Sequence, residues 1–259
     1  KGTVILLFQP AEEAEHGGEK VVNTGMFEKY KIEKIFGLHT KQNMPVGTIA
    51  IAPGPFSAAV DRFLYTVKGM GCHGSAPQTG LDPIPAAARL VGSLQEIVSR
   101  RISPTETAVI SVTRFTSGTS WNIIPETARL EGTVRTFNPK VREQIVKLMQ
   151  AQAEGLEREG YQVEFTWIPG CPATNNDANL AELVRKEAME EGFHVTLQQP
   201  EMGGEDFSCY QELVPGAFFY VGTGGKYPAH NSKFTVDPAA LLGASKLMSE
   251  IVKKALKAS

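Results

Sequence analysis

An alternating series of strand and helix patterns across the middle of the chain constrains the fold most. Apolar and polar residues alternate in the strand segments, as they do when a sheet is covered on one face. The predicted elements are a strand at 63–68, a helix at 83–101, strands at 107–115 and 126–136, a helix from 139, and a strand at 161–167. This β-α-β-β-α-β order predicts a ferredoxin-like α+β domain.

The flanking segments have a different pattern. Residues 4–8, 35–38 and 218–221 are short, continuous apolar runs, which are typical of strands buried on both faces. Helical spacing follows Asp177 and again follows Asp237. We therefore predict an α/β fold with a largely parallel sheet, formed by residues 1–57 and 169–259 and interrupted by an inserted domain at 58–168.

Composition excludes several classes of function. A net charge of -2 gives no electrostatic basis for binding nucleic acid or an anionic membrane. No apolar run approaches the ~20 residues that a membrane-spanning helix needs. The three cysteines are far apart in the sequence, so we expect a reducing compartment, the cytoplasm.

The chain begins at Lys1 and reaches a predicted strand almost at once. We expect it to be a piece of a longer polypeptide, with part of the functional site upstream.

Acidic and imidazole side chains follow the predicted strands of the α/β domain. Glu12 and Glu13 come after the run 4–8, His39 follows the next run, and His230 comes shortly after the run at 218–221. Ligands bind beyond the carboxyl ends of such strands, so these groups are candidates for one site. Glu and His are ordinary zinc ligands, and a free Glu can act as general base. Adjacent side chains point in different directions, which favours two different roles for the two acids.

The residues taken alone leave other interpretations open. An adjacent Glu pair is common on a solvated surface or at a helix N-terminus. A single His at a strand end is more often structural than a ligand. Arg135 shares the polar face of its predicted strand with Arg129 and Glu131, so a ladder of salt bridges is the simpler explanation there.

Six motifs, in order along nearly the whole chain, carry a family resemblance. They are GTVILLFQPAEE, IFGLHT, GCHGSAP, NIIPETARLEGTVRTF, MGGEDF and PGAFFYVGTG with YPAHNSKF. Together they resemble the M20 metallopeptidases, in particular the branch of N-acyl-amino-acid, hippurate and auxin-conjugate amidohydrolases. That resemblance implies a zinc-binding catalytic domain and a ferredoxin-like satellite domain.

The resemblance also implies roles for individual residues. Glu12 corresponds to the general base, and Glu13, His39 and His230 correspond to metal ligands. His73, in the satellite domain, corresponds to a histidine that stabilises the oxyanion of the transition state. The expected cofactor is one or two divalent ions, zinc first, with manganese, cobalt or nickel as alternatives.

Asn122 and Arg135 correspond to substrate-binding positions, the Arg pairing with the substrate carboxylate. The resemblance further implies a homodimer formed through the satellite domain. Glu205 and Asp206, in MGGEDF, either line the active site or cap a helix, and the sequence does not decide between these roles.

The expected activity is metal-dependent hydrolysis of the amide bond of N-acyl amino acids or related peptide-like small molecules. A dipeptidase or carboxypeptidase of the same family is one alternative. A catalytically incomplete module for dimerisation or binding is another, because the family's upstream Cys and His, in a CGHD-like motif, do not occur in this sequence.

Overall fold

The computed structural model describes residues 2–13 and 17–257. The chain divides into two compact units, the first formed by Lys1–Ser57, Thr174–Glu201 and Glu205–Ser259, the second by Ala58–Ala173 with Met202–Gly204. The chain returns to the first unit at 173/174, later than the predicted 168/169. The cause is local, because the Gly170 amide donates to Asp61 and the Cys171 carbonyl accepts from Val60, each at 3.1 Å.

The strands of the described residues, in chain order, are β1 Ile35–Lys41, β2 Thr48–Ile51, β3 Gly54–Ser57, β4 Ala59–Lys68, β5 Cys72–His73, β6 Ala108–Ser117, β7 Ile123–Ile124, β8 Thr127–Thr136, β9 Gln162–Ile168, β10 Thr174–Asn176, β11 His194–Leu197 and β12 Gly216–Gly222. The helices are α1 Gly17–Val22, α2 Met26–Lys29, α3 Pro83–Glu96, α4 Pro139–Arg158, α5 Ala178–Glu190, α6 Ser208–Gln211 and α7 Pro238–Ala255. None of these helices combines the length and apolarity needed to cross a bilayer.

The second unit has the predicted ferredoxin-like order. Its antiparallel sheet runs β6-β8-β4-β9. Helices α3 and α4 start at Asp82 and Asn138, whose side chains accept hydrogen bonds from the first turn. Both helices pack on one face of the sheet, around Phe63, Tyr65 and Leu130. The alternation in the sequence therefore marks the covered face correctly.

The first unit is built on a mixed four-stranded sheet in the order β1-β12-β2-β11. Two pairings, β1 with β12 and β2 with β11, are parallel, and β12 with β2 is antiparallel. Phe219 on β12 packs in a core cluster with α5 and α7, while Phe218 packs in a second cluster with Phe56 and Phe207. The sheet is thus buried on both faces, and the predicted α/β fold class is confirmed.

Residues 4–8 do not form the predicted strand. They have no regular secondary structure, and Leu6 and Phe8 are exposed. A strand needs hydrogen-bonding partners at its edge, and among the described residues this apolar run pairs with none. The prediction of a core strand here is wrong.

Strands β3 and β10 of the first unit flank the insertion in the sequence. They pair antiparallel, with Ser57 opposite Thr174. The Ser57 hydroxyl donates to the Thr174 hydroxyl at 2.6 Å, and both side chains are buried. The main insertion, Ala58–Ala173, therefore begins and ends beside one hydrogen-bonded pair of strands, while Met202–Gly204 joins the second unit from later in the chain.

Candidate active site

Glu12 and Glu13 lie in a turn with an unusual backbone conformation. Ala11, directly before them, has φ 60°, and His230 has φ 65°. Non-glycine residues adopt this left-handed region at a cost of order 1–3 kcal/mol, and they cluster at functional sites. Apart from glycines, the described residues have a positive φ at Ala11, Lys31 and His230, and two of these three positions belong to this site.

The two adjacent acids face different neighbours. A Glu13 carboxylate oxygen lies 3.6 Å from Nε2 of His230, and both side chains are exposed to solvent. Glu12 instead lies beside Glu205 and Asp206, with one carboxylate oxygen from each of the three within 4.8 Å of the others. The side chains of Glu12 and Glu13 therefore point in different directions, as predicted.

His39 lies near the carboxyl end of β1, opposite Tyr220 on β12. Its Nδ1 is 2.7 Å from the carbonyl oxygen of Thr40. Donation from Nδ1 to that carbonyl leaves Nε2 as the unprotonated nitrogen, the form of imidazole that binds metals. Glu13, His39 and His230 do not gather in the described residues as closely as the Glu12 group does.

The surroundings of the acidic cluster alter the proton affinity of Glu12 and Glu205. Partial burial, and then the charges of Asp206 and Glu13, raise the pKa of Glu12 above its ordinary value, while His39 opposes the shift. Burial, followed by the neighbouring charges of Glu12 and Asp206, raises the pKa of Glu205 to about 7, against a hydrogen bond from the Phe207 amide. A carboxyl group with such a pKa exchanges protons near neutrality.

Asp206 is the buried member of the cluster, with 5% of its surface exposed. It accepts hydrogen bonds from the Gln9 side chain and from the Gly18 amide. The sequence did not reveal this contact, because the partners lie 197 and 188 residues away along the chain. The available sequence signal was two acids directly after two glycines. This signal did not distinguish residues that line a site from residues that cap a helix.

The donor atoms of the first unit suit a divalent cation. Glu13 and His230 offer a carboxylate oxygen and an imidazole nitrogen, His39 offers Nε2, and the Glu12 group adds further oxygens. Mixed oxygen and nitrogen donors fit zinc and other first-row divalent metals.

The other three predicted site residues lie in the second unit. His73 on β5 pairs with Ile123 on β7, which brings His73 close to Asn122 in a small two-stranded ribbon. The Ser75 amide donates to Nδ1 of His73 at 3.2 Å. Nδ1 also lies 2.7 Å from the hydroxyl oxygen of Ser75. In the tautomer in which Nδ1 accepts from both groups, the neutral ring carries its proton on Nε2 and His73 presents a donor. The ribbon lines an open cleft of about 420 Å³.

Arg135 lies half-buried on β8, on the face opposite the core. The alternative interpretation of this strand face, a ladder of salt bridges, holds for the neighbouring Glu131. Its carboxylate binds Arg62 at 2.8 Å and Arg114 at 3.4 Å. Arg135 itself has no ion-pair partner among the described residues. Its guanidinium thus remains available for an anion.

Comparison with known proteins shows which family the chain belongs to. The profile of Peptidase family M20/M25/M40 matches residues 1–254. The N-acetylcysteine deacetylase of Bacillus subtilis (strain 168) is 42% identical over 252 residues, or 97% of this chain and 66% of the relative. The N-acetyldiaminopimelate deacetylase of Bacillus pumilus (strain SAFR-032) is 34% identical over 257 residues, or 98% of this chain and 68% of the relative.

A solved structure agrees with these relatives. The crystal structure of a Bacillus subtilis protein described as a dinuclear metal binding peptidase from the M20 family matches with a TM-score of 0.82 and 38% identity, over 96% of this chain and 64% of that one. The chain spans about two thirds of the length of the curated relatives it matches.

The chain belongs to peptidase family M20/M25/M40. Its relatives include deacetylases of N-acetyl amino acids, which confirms the predicted amidohydrolase branch.

Proposed function

We propose that this chain carries the catalytic machinery of a metal-dependent amidohydrolase that cleaves N-acyl amino acids. The observation that carries the proposal is the divergence of the adjacent acids, Glu13 toward His230 and Glu12 toward Glu205 and Asp206. One acid is thereby free to move protons while the other binds metal. The names of the deacetylase relatives support the substrate class.

Glu13, His39 and His230 would hold the metal, with zinc the first candidate and manganese, cobalt or nickel the alternatives. A bound divalent ion supplies Lewis-acid polarisation of the scissile carbonyl and acidifies water. A second ion is consistent with the description of the solved relative as dinuclear.

Glu12 would remove the proton from the attacking water and pass it to the leaving nitrogen. A general base works best when its pKa approaches the working pH, and the raised pKa of Glu12 moves it in that direction. His73 would donate Nε2–H to the developing oxyanion, in the tautomer in which its Nδ1 accepts from the Ser75 amide.

Asn122 and Arg135 would bind the substrate, with Arg135 pairing with its carboxylate. An unpaired guanidinium on a polar strand face is suited to a charge-assisted, bidentate contact with a carboxylate. This role makes a free α-carboxylate part of what the enzyme recognises.

We also propose a homodimer formed through the second unit, and location in the cytoplasm. Strand β6 is an edge of the antiparallel sheet, and Phe115 on it is exposed. An open edge strand is a natural site for pairing between copies. The small number of cysteines supports a reducing compartment.

The test is an assay of amine release from a panel of N-acetyl amino acids and dipeptides. The protein would be stripped with a chelator and then reconstituted with zinc, manganese, cobalt or nickel. We expect activity to vanish on stripping, to return with metal, and to favour the N-acetyl substrates. Preference for dipeptides would identify the peptidase alternative, and inactivity in the metal-loaded protein would identify a binding module.

A further inference from the structure

We infer that Asp206 is a positioning residue, whose carboxylate holds both flanks of the loop that carries Glu12 and Glu13. The inference rests on the proposed function for the roles of those two acids. It assigns to MGGEDF a task that the sequence motif alone leaves open.

The contacts of Asp206 bracket the loop. On one flank, Nε2 of Gln9 donates to Oδ1 at 3.0 Å and to Oδ2 at 2.8 Å. On the other flank, the Gly18 amide donates to Oδ2 at 2.7 Å. One buried carboxylate therefore joins the residue before the turn to the first turn of the helix after it.

A tyrosine fixes the orientation of the Gln9 amide. The Tyr210 hydroxyl donates to Oε1 of Gln9, so the amide nitrogen of that residue faces Asp206. Gln9 is then held by an acceptor on one side and a donor on the other. Tyr210 lies in the same core cluster as Phe207 and Phe218, which ties the flank to the sheet of the first unit.

Close backbone packing reinforces the two flanks. A Cβ atom on Gly18 would lie 2.5 Å from the backbone oxygen of Asp206, and one on Gly17 would lie 1.9 Å from that of Pro10. Both separations are shorter than van der Waals contact, so the sites require glycine. The backbone at Gly17 and Gly18 therefore packs closely against the backbone of Pro10 and Asp206.

Groups that orient metal ligands without binding the metal themselves typically contribute about 10–100-fold in metal affinity or activity. Hydrogen bonds to a buried charge are also stronger than those between neutral groups, and unmet partners are costly to leave buried. Disruption of the Asp206 contacts should therefore weaken metal binding and catalysis together.

The test exchanges the hydrogen-bonding roles of the Gln9 and Asp206 side chains. Q9E alone sets two carboxylates against each other. In Q9E/D206N, the new amide at 206 donates to the new carboxylate at 9, its carbonyl still accepts from Gly18, and Tyr210 still has an acceptor. V184A, a buried truncation in the other core cluster of the first unit, controls for lost stability alone.

Three readouts decide the question: zinc titration of metal-free protein, hydrogen exchange at the Gly18 amide, and kcat and KM on an N-acetyl amino acid. We expect Q9E to lower zinc affinity and kcat about 10–100-fold and to speed Gly18 exchange, with KM little changed. The double variant should recover most of each loss. Y210F, which removes just the orienting hydroxyl, should cause smaller changes of the same sign, and it serves if Q9E fails to fold.

The inference is overturned if Q9E or Y210F behaves like V184A, with lower stability and unchanged zinc affinity. It is also overturned if the folded double variant recovers none of the losses. The proposed function fails separately, if the wild-type protein binds zinc and hydrolyses no N-acyl amino acid. In that case the zinc and exchange readouts still decide the role of Asp206.

Discussion

Nε2 of His230 lies 3.6 Å from a carboxylate oxygen of Glu13, and both side chains are largely exposed, at 73% and 69%. An exposed pair of this kind stabilises a fold by about 0–1 kcal/mol. The strained φ of 65° at His230 is therefore poorly explained by stability alone. The pairing is better explained by a ligand that needs both groups.

Glu13→Ala should lower zinc affinity by at least about 100-fold, because a residue that binds the metal directly contributes no less than one that merely orients a ligand. The unfolding free energy of the metal-free protein should change by less than about 1 kcal/mol. Calorimetric zinc titration and urea unfolding measure the two quantities. Glu33→Ala, another exposed acid, is the control. Unchanged zinc affinity would remove Glu13 from the ligand set.

Glu12→Gln should reduce kcat by about 10²–10⁴-fold while zinc remains bound, since the amide cannot accept the proton from water. Turnover and metal content of the same preparation provide the comparison. Near-normal turnover would show that another group is the base, and Glu205, in the same cluster, would be examined next.

Arg135→Ala should lower kcat/KM for N-acetyl amino acids by roughly 10–100-fold, the value of a hydrogen bond to a charged group. Substrates whose carboxylate is blocked as an amide should lose little. Arg129→Ala removes an exposed arginine from the same face of β8 and should affect neither substrate class. Equal losses on both classes with Arg135→Ala would contradict the proposed role.

The stability of the metal-free protein should depend on pH through Glu205. Its pKa rises from an ordinary 4.5 to about 7 in the folded state. Between these values the folded protein keeps a proton that the unfolded chain has released, so the unfolding free energy falls as pH rises. The full effect is on the order of 3 kcal/mol, present below pH 4.5 and lost above about 7.

Glu205→Gln should flatten that part of the curve, and urea unfolding of both proteins from pH 4.5 to 8 isolates the difference. Identical slopes in the two proteins would mean that the carboxyl group titrates normally. Chelator must be present throughout, because a bound cation would oppose protonation of nearby carboxylates.

The sequence predicted the ferredoxin-like unit well because each element there carries its own local signal. Asp82 and Asn138 cap the helices they precede, and alternation marks the covered face of β4 and β8. Two features of the first unit carry no such local signal. An apolar run such as 4–8 indicates strand propensity but not whether a partner strand lies beside it. The Gln9–Asp206 contact joins residues that only the folded chain brings together.

The roles assigned to Glu12, Glu13, His39, His73, Asn122, Arg135 and His230 remain predictions, and the geometry bears on them unequally. Glu13 and His230 already lie within reach of one ion. The tautomer of His39 leaves Nε2 able to bind a metal. The distance of His39 from Glu13 and His230 gives no comparable support. Ligand positions are set partly by the ion itself, which a sequence pattern does not contain.

The antiparallel pairing of β3 with β10 makes the inserted unit modular. Because Ser57 lies opposite Thr174, a short hairpin turn would be long enough to join the two strands directly. Such a deletion would leave the four-stranded sheet and its helices with their own connections intact. The same pairing would let the segment Ala58–Ala173 change in length without altering the path of β3 and β10. Under the proposed function, Asn122 and Arg135 lie on this insert whereas Glu13, His39 and His230 do not, so the substrate contacts could change independently of the metal ligands.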